Sequence, residues 1–192
     1  MNTNPWLPQV PTTLEPTAPA LPAAPIATGP TTPQHSVPSP DTADQLGWSR
    51  VRATHRLWVL GAHGGSGEST LAELLGGGET DHRWPSAAAA APVVLCARTH
   101  ARGLRAAQLA AASWASGNTP PVKLLGLVLI ADAPGKLPKP LAEFAERVAG
   151  GVPRTWRMPW VDEFRLGPPD PGISRPIRKL IEDIHRLVDA AN

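Results

Sequence analysis

At 192 residues with a formal net charge of +2, the chain suits one domain of ordinary size plus a tail. The first 49 residues hold Glu15, Asp41 and Asp44 and no Lys or Arg, which leaves 18 basic against 13 acidic side chains after them, a mild surplus of five. A lone cysteine excludes an intrachain disulfide, and no apolar run approaches the roughly 20 residues that span a bilayer.

Residues 1–49 read as a disordered, proline-rich tail. Eleven of the 24 prolines lie in the first 40 residues, and at that density they break helices and remove ladder donors. The few apolar groups cannot offset the entropy of ordering. The alternative to a solvated linker is an extended docking ligand for an aromatic groove. No basic start with a following apolar stretch marks a signal peptide, so the cytoplasm is the expected compartment.

Residues 50–192 read as the folded domain. Four apolar strands, 57–61, 93–98, 124–131 and 154–160, alternate with helical runs near 69–75, 102–116, 138–149 and 174–190. The segment 76–92, with Gly76, Gly77, Gly78, Trp84-Pro85 and five alanines, reads as a surface loop. The last helix has the firmest pattern. Ile173, Ile177, Leu180, Ile181, Ile184, Leu187 and Val188 form one stripe, and Glu182 stands four residues from both Arg178 and Arg186. Strands 93–98 and 124–131 are continuously apolar, so both faces should be covered. Helices between such strands predict an α/β fold with a small, mostly parallel sheet and flanking helices.

The most informative stretch is Gly61-Ala62-His63-Gly64-Gly65-Ser66-Gly67-Glu68-Ser69-Thr70. It follows the first strand and opens the first helix, the setting of a phosphate-binding loop. Such a loop cradles phosphates with backbone N–H groups and a helix N-terminus, and adds a cationic side chain for the terminal phosphates. Against G-x-x-x-x-G-K-[ST], Ala62 replaces the first glycine and Glu68 the lysine. A unit charge about 4 Å from a phosphate oxygen contributes about 4 kcal/mol at an effective dielectric near 20. Turning that attraction into repulsion weakens triphosphate binding strongly. A carboxylate at a helix N-terminus is itself favoured by about 0.3–1 kcal/mol, so Glu68 is placed to fill the anion site.

His63, Gly64, Gly65, Ser66, Gly67, Glu68, Ser69 and Thr70 together resemble the deviant P-loop of the partition and division-site ATPases, the ParA/MinD group, whose motif reads K-G-G-x-G-K-[ST]-T. Gly64, Gly65, Gly67, Ser69 and Thr70 match it, His63 stands for its signature lysine and Glu68 for its phosphate-binding lysine. The run from Trp58 to Phe164 is similar to a family of actinobacterial P-loop-like proteins, called MinD-like, without an established activity. The resemblance implies a reduced P-loop NTPase-like fold and ATP with Mg²⁺ as the cofactor to test. It also implies two further strand–helix units with a metal-binding Asp, for which Leu75 to Pro92 leaves too few residues. Asp132, in Asp132-Ala133-Pro134-Gly135, resembles the D-x-P-P-G switch and is the one candidate for magnesium, with a turn or helix cap as its other reading.

Other constellations point to packing. The six histidines show no metal-ligand spacing with Cys96 or one another, and Cys96 reads as a buried small hydrophobe. Trp156, Met158 and Trp160 alternate as one strand face with arginines outward, although arginine and aromatics interleaved also suit single-stranded nucleic acid. Arg98, Arg102 and Arg105 read as solvated helix-start arginines, with an anion patch at the sheet's carboxyl edge as the alternative. The expected function is a non-catalytic regulatory or adaptor protein with a protein partner and, at most, weak nucleotide binding. The alternatives are a partner-activated ParA/MinD-type ATPase and a nucleic-acid-binding accessory.

Overall fold

The computed structural model describes residues 25–34, 36–165 and 173–191. Strand β1 (Trp48–Arg50) precedes β2 (Trp58–Gly61), which feeds α1 (Glu68–Leu75). Two short strands follow, β3 (Gly78–Glu79) and β4 (Trp84–Ser86). Then come β5 (Ala91–Arg98), α2 (Ala101–Ala115), β6 (Val122–Ile130), α3 (Lys139–Ala149), β7 (Thr155–Met158) and α4 (Arg175–Asp189). The main sheet has the order β3-β2-β5-β6-β7 with every pair parallel, and β1 and β4 form a separate two-stranded parallel ribbon. This is the expected α/β arrangement, with helices on both faces of the sheet.

Strand alternation sorts the core into two layers. Leu60, Val93, Leu95, Leu127 and Leu129 face Leu104, Ala107, Trp114, Ala145 and Val148 of α2 and α3. Val59, Val94, Cys96, Val128 and Met158 face Leu71, Leu75, Ile177, Leu180 and Ile184 of α1 and α4. An irregularity in β6 keeps this sorting in phase. Val93 pairs with Leu124 but Val94 pairs with Gly126, so Leu125 is the extra residue. Leu124 and Leu127 therefore share a layer although three positions separate them, an odd step that a regular strand places on opposite faces.

Within α4 the apolar stripe is buried as expected. Its charges pair differently from the expected four-residue spacing: Arg186 meets Asp183, and Arg178 donates to Ile173 O. The loop expected over 76–92 departs further. It carries the edge strand β3 and, in β4, Trp84, which is 1% exposed in the α2/α3 layer. Periodicity fails there because two- and three-residue strands are too short to display it, and proline follows the tryptophan directly.

Of the proline-rich stretch, residues 25–34 and 36–47 lie along the domain, while the first 24 residues lie outside the described ones. Thr28 N donates to Pro153 O, Gln34 N to Ala115 O, and Arg154 Nε to Pro25 O. Val37 and Leu46 pack on the α2/α3 layer. An extended segment can dock in this way because the domain supplies the partners for its backbone. Among the described residues no helix is long and apolar enough to cross a membrane.

Candidate functional site

The carboxyl edge of the parallel sheet is where β2 hands over to α1 through Gly61–Gly67. Ala62 N donates to Cys96 O and Ser66 N to His63 O, which ties the loop to β5 and turns it back on itself. Gly67 has φ 92°, in the left-handed region, and a Cβ there would stand 2.7 Å from Ile130 Cδ1. The left-handed φ favours glycine, and any larger residue would also have to displace the tip of Ile130. The first turn of α1 has no side-chain cap, so its leading amides face the loop mouth without an intrahelical acceptor. Beneath the loop, Ser66 is fully buried and its Oγ accepts from Cys96 Sγ at 3.8 Å. Burial pushes the Cys96 thiol up to about 12, so it is an inert core group, as expected.

Glu68, at the first position of α1, is 5% exposed. Its carboxylate does not cap its own helix. Oε1 accepts from Thr80 N at 2.8 Å and Thr80 Oγ1 at 3.1 Å, while Oε2 accepts from His82 N at 3.3 Å and meets His82 Nδ1 at 2.8 Å. The strap that supplies these donors runs from β3 through Asp81 and His82, both at positive φ (52° and 56°). Side chains rarely adopt that geometry, so the strap's shape is held by the contacts it makes. Ser69 Oγ donates to Glu79 Oε2 at 2.7 Å, a second tie between helix start and strap. The sequence expectation that Glu68 fills the helix's own anion site is thus corrected: the backbone amides of Thr80 and His82 hold it.

His63 turns inward. Its Nε2 lies 3.2 Å from Arg98 N and accepts from it, which leaves Nδ1 to donate to Gly64 O at 2.9 Å. Burial lowers its pKa from the ordinary 6.5, opposed by the Gly64 hydrogen bond and assisted by His100, His82 and Arg98. The His100 ring packs edge-on against it, with centroids 5.1 Å apart. His100 Nδ1 also accepts from Gly103 N to cap α2.

Arg98 ends β5 and donates from its guanidinium to Ala131 O at 2.8 Å. It borders both halves of the cleft above the loop. One half, of about 390 Å³, is walled by Gly65, Gly67, Thr70, Asp132, Met158 and Trp160, with Phe164 beyond. The other, of about 400 Å³, is walled by Ser69, Thr70, Glu79, Asp81 and His82. Arg102 and Arg105 lie exposed on α2, outside both halves, so only Arg98 of the three reaches the loop. Asp132 is exposed at a bend after β6, its N–H donating to Thr99 Oγ1, and Pro138 rather than Asp132 caps α3. Among the described residues no group of three or more His, Cys, Asp or Glu could hold a metal ion.

The structure brings Gly65 through Thr70 to the cleft, with Arg98 and Asp132 also lining it, while His63 and Gly64 line neither half. Glu79, Thr80, Asp81, His82 and Phe164 are among the residues that sequence reasoning did not assign to the site. For Thr80 and His82 the only available signal was a buried acid in need of donors. No curated protein and no solved structure matches the chain. A family model, described as a family of unknown function (DUF6668), matches residues 55–181 and so takes in the glycine loop, the main sheet and most of the cleft. The chain belongs to this DUF6668 family of unknown function.

Proposed function

We propose that this domain is a reduced P-loop-like module that has kept a phosphate-cradling loop without the apparatus for hydrolysis, and that it acts as a regulatory or adaptor protein toward a protein partner. The observation that carries the reading is Glu68. It stands where the ParA/MinD resemblance places the phosphate-binding lysine, and it is buried on Thr80 and His82. Freeing it toward a ligand would strand a buried carboxylate and the donors that surround it, a cost of several kcal/mol. The hydroxyl of Ser69, the position from which such loops hold Mg²⁺, is engaged by Glu79. The left-handed Gly67 and the uncapped α1 amides support retention of the cradle.

The test is calorimetric titration with ATP and Mg²⁺, followed by measurement of phosphate release, on the native protein and on Glu68→Lys. Binding at millimolar strength or weaker and no release are expected for the native chain. Micromolar binding with turnover would overturn the proposal.

A further inference from the structure

The cleft is asymmetric in charge. Arg98 is shared by its two halves, and among the described residues no other arginine or lysine lines either of them. On the strap side stand Glu68, Glu79 and Asp81, three acids against His82. On the other side Met158, Pro159, Trp160, Val161 and Phe164 make an apolar and aromatic wall, interrupted by Asp132. A phosphoryl group set between Arg98 and the loop amides would meet one fork of N–H donors. Each further phosphate on a polyphosphate would then extend toward Glu79 and Asp81 or toward Asp132, where like charge opposes it. A ligand body turned toward Trp160 and Met158 meets apolar surface instead.

Resting on the reading above, we infer that the cleft selects a single phosphoryl group attached to an aromatic body, a phosphomonoester rather than a metal–triphosphate, with Arg98 as the residue that contacts the phosphoryl group. The cation that the motif lacks at Glu68 thus arrives from the end of the neighbouring strand. A half-cleft of about 390 Å³ suits a ligand of that size. Its recognition requires no metal.

The experiment titrates the native protein with inorganic phosphate, phenyl phosphate, adenosine monophosphate and ATP with Mg²⁺, and follows the backbone amide signals of Gly64–Thr70 by NMR. Phenyl phosphate or adenosine monophosphate should bind at least tenfold more tightly than inorganic phosphate or Mg-ATP, with no gain from added Mg²⁺. The tighter of the two assigns the aromatic body as phenol-like or nucleoside. Arg98→Gln should weaken the monoester about tenfold or more, and Arg98→Lys should retain part of the affinity. Mg-ATP binding more tightly than both monoesters, or an Arg98→Gln protein that binds the monoester as well as the native one, overturns this inference and leaves the loop reading standing. If no phosphate ligand moves the Gly64–Thr70 signals, both fall. Since ligand ranking is read on the native chain, the outcome does not depend on a variant folding.

Discussion

A buried glutamate at the start of a short helix is a costly group unless every oxygen is answered, and in this chain the answers come from Thr80 and His82. Glu68→Ala would leave the Thr80 N–H and hydroxyl without an acceptor and is expected to cost about 2–4 kcal/mol, measured as a lower urea midpoint with unchanged slope. At Gly67, the left-handed φ and the Ile130 contact predict that Gly67→Ala loses about 1–2 kcal/mol or more, read by thermal melting. His63 sets a pH dependence. Its folded pKa lies below the ordinary 6.5 because burial favours the neutral ring. Its contribution is therefore fully present above that value and is lost as pH falls below it, where the unfolded chain binds the extra proton. Melting temperatures compared between about pH 7.5 and about pH 5.5 should fall on the acid side, and His63→Gln should flatten that fall. An equal acid-side loss in the variant would assign the effect to other groups.

At the scale of elements, strands β2, β5, β6 and β7 and helices α1 to α4 were legible because each spans enough residues to show an apolar run or a period, whereas the two-residue edge strand β3 was not. The stripe of α4 and the continuous apolar runs of β5 and β6 are the plainest cases. The ribbon of β1 and β4 was not legible, since three residues show no period and only Trp84 and Pro85 in it are buried. Trp84→Ala should therefore behave as a core truncation and cost about 3–5 kcal/mol, measured by chemical denaturation. A change below about 1 kcal/mol would place Trp84 on the surface. The strap after β3 was hidden for a different reason. Its conformation is fixed by a carboxylate twelve residues earlier in the chain rather than by its own turn residues.

For the whole molecule, the segment that precedes β1 adds to the domain through Val37, Leu46 and the ties to Pro153 and Ala115. Removal of residues 1–47 is expected to lower stability by about 2 kcal/mol, from the partial burial of those two side chains, and differential denaturation of the two chains checks it. The amino-acid order by itself determined the parallel α/β layering, because hydrophobic period and the glycine punctuation after β2 are local signals that survive without neighbours. It also placed an acid where a cation was expected. Only the tertiary structure decided what that acid does: donors from β3's strap enclose it, and an arginine from the end of β5 stands across the cleft. The donors lie 12 and 14 positions from Glu68 and Arg98 lies 30 from it, and a side chain's electrostatic surroundings are set by what folding brings near it, not by its place in the chain.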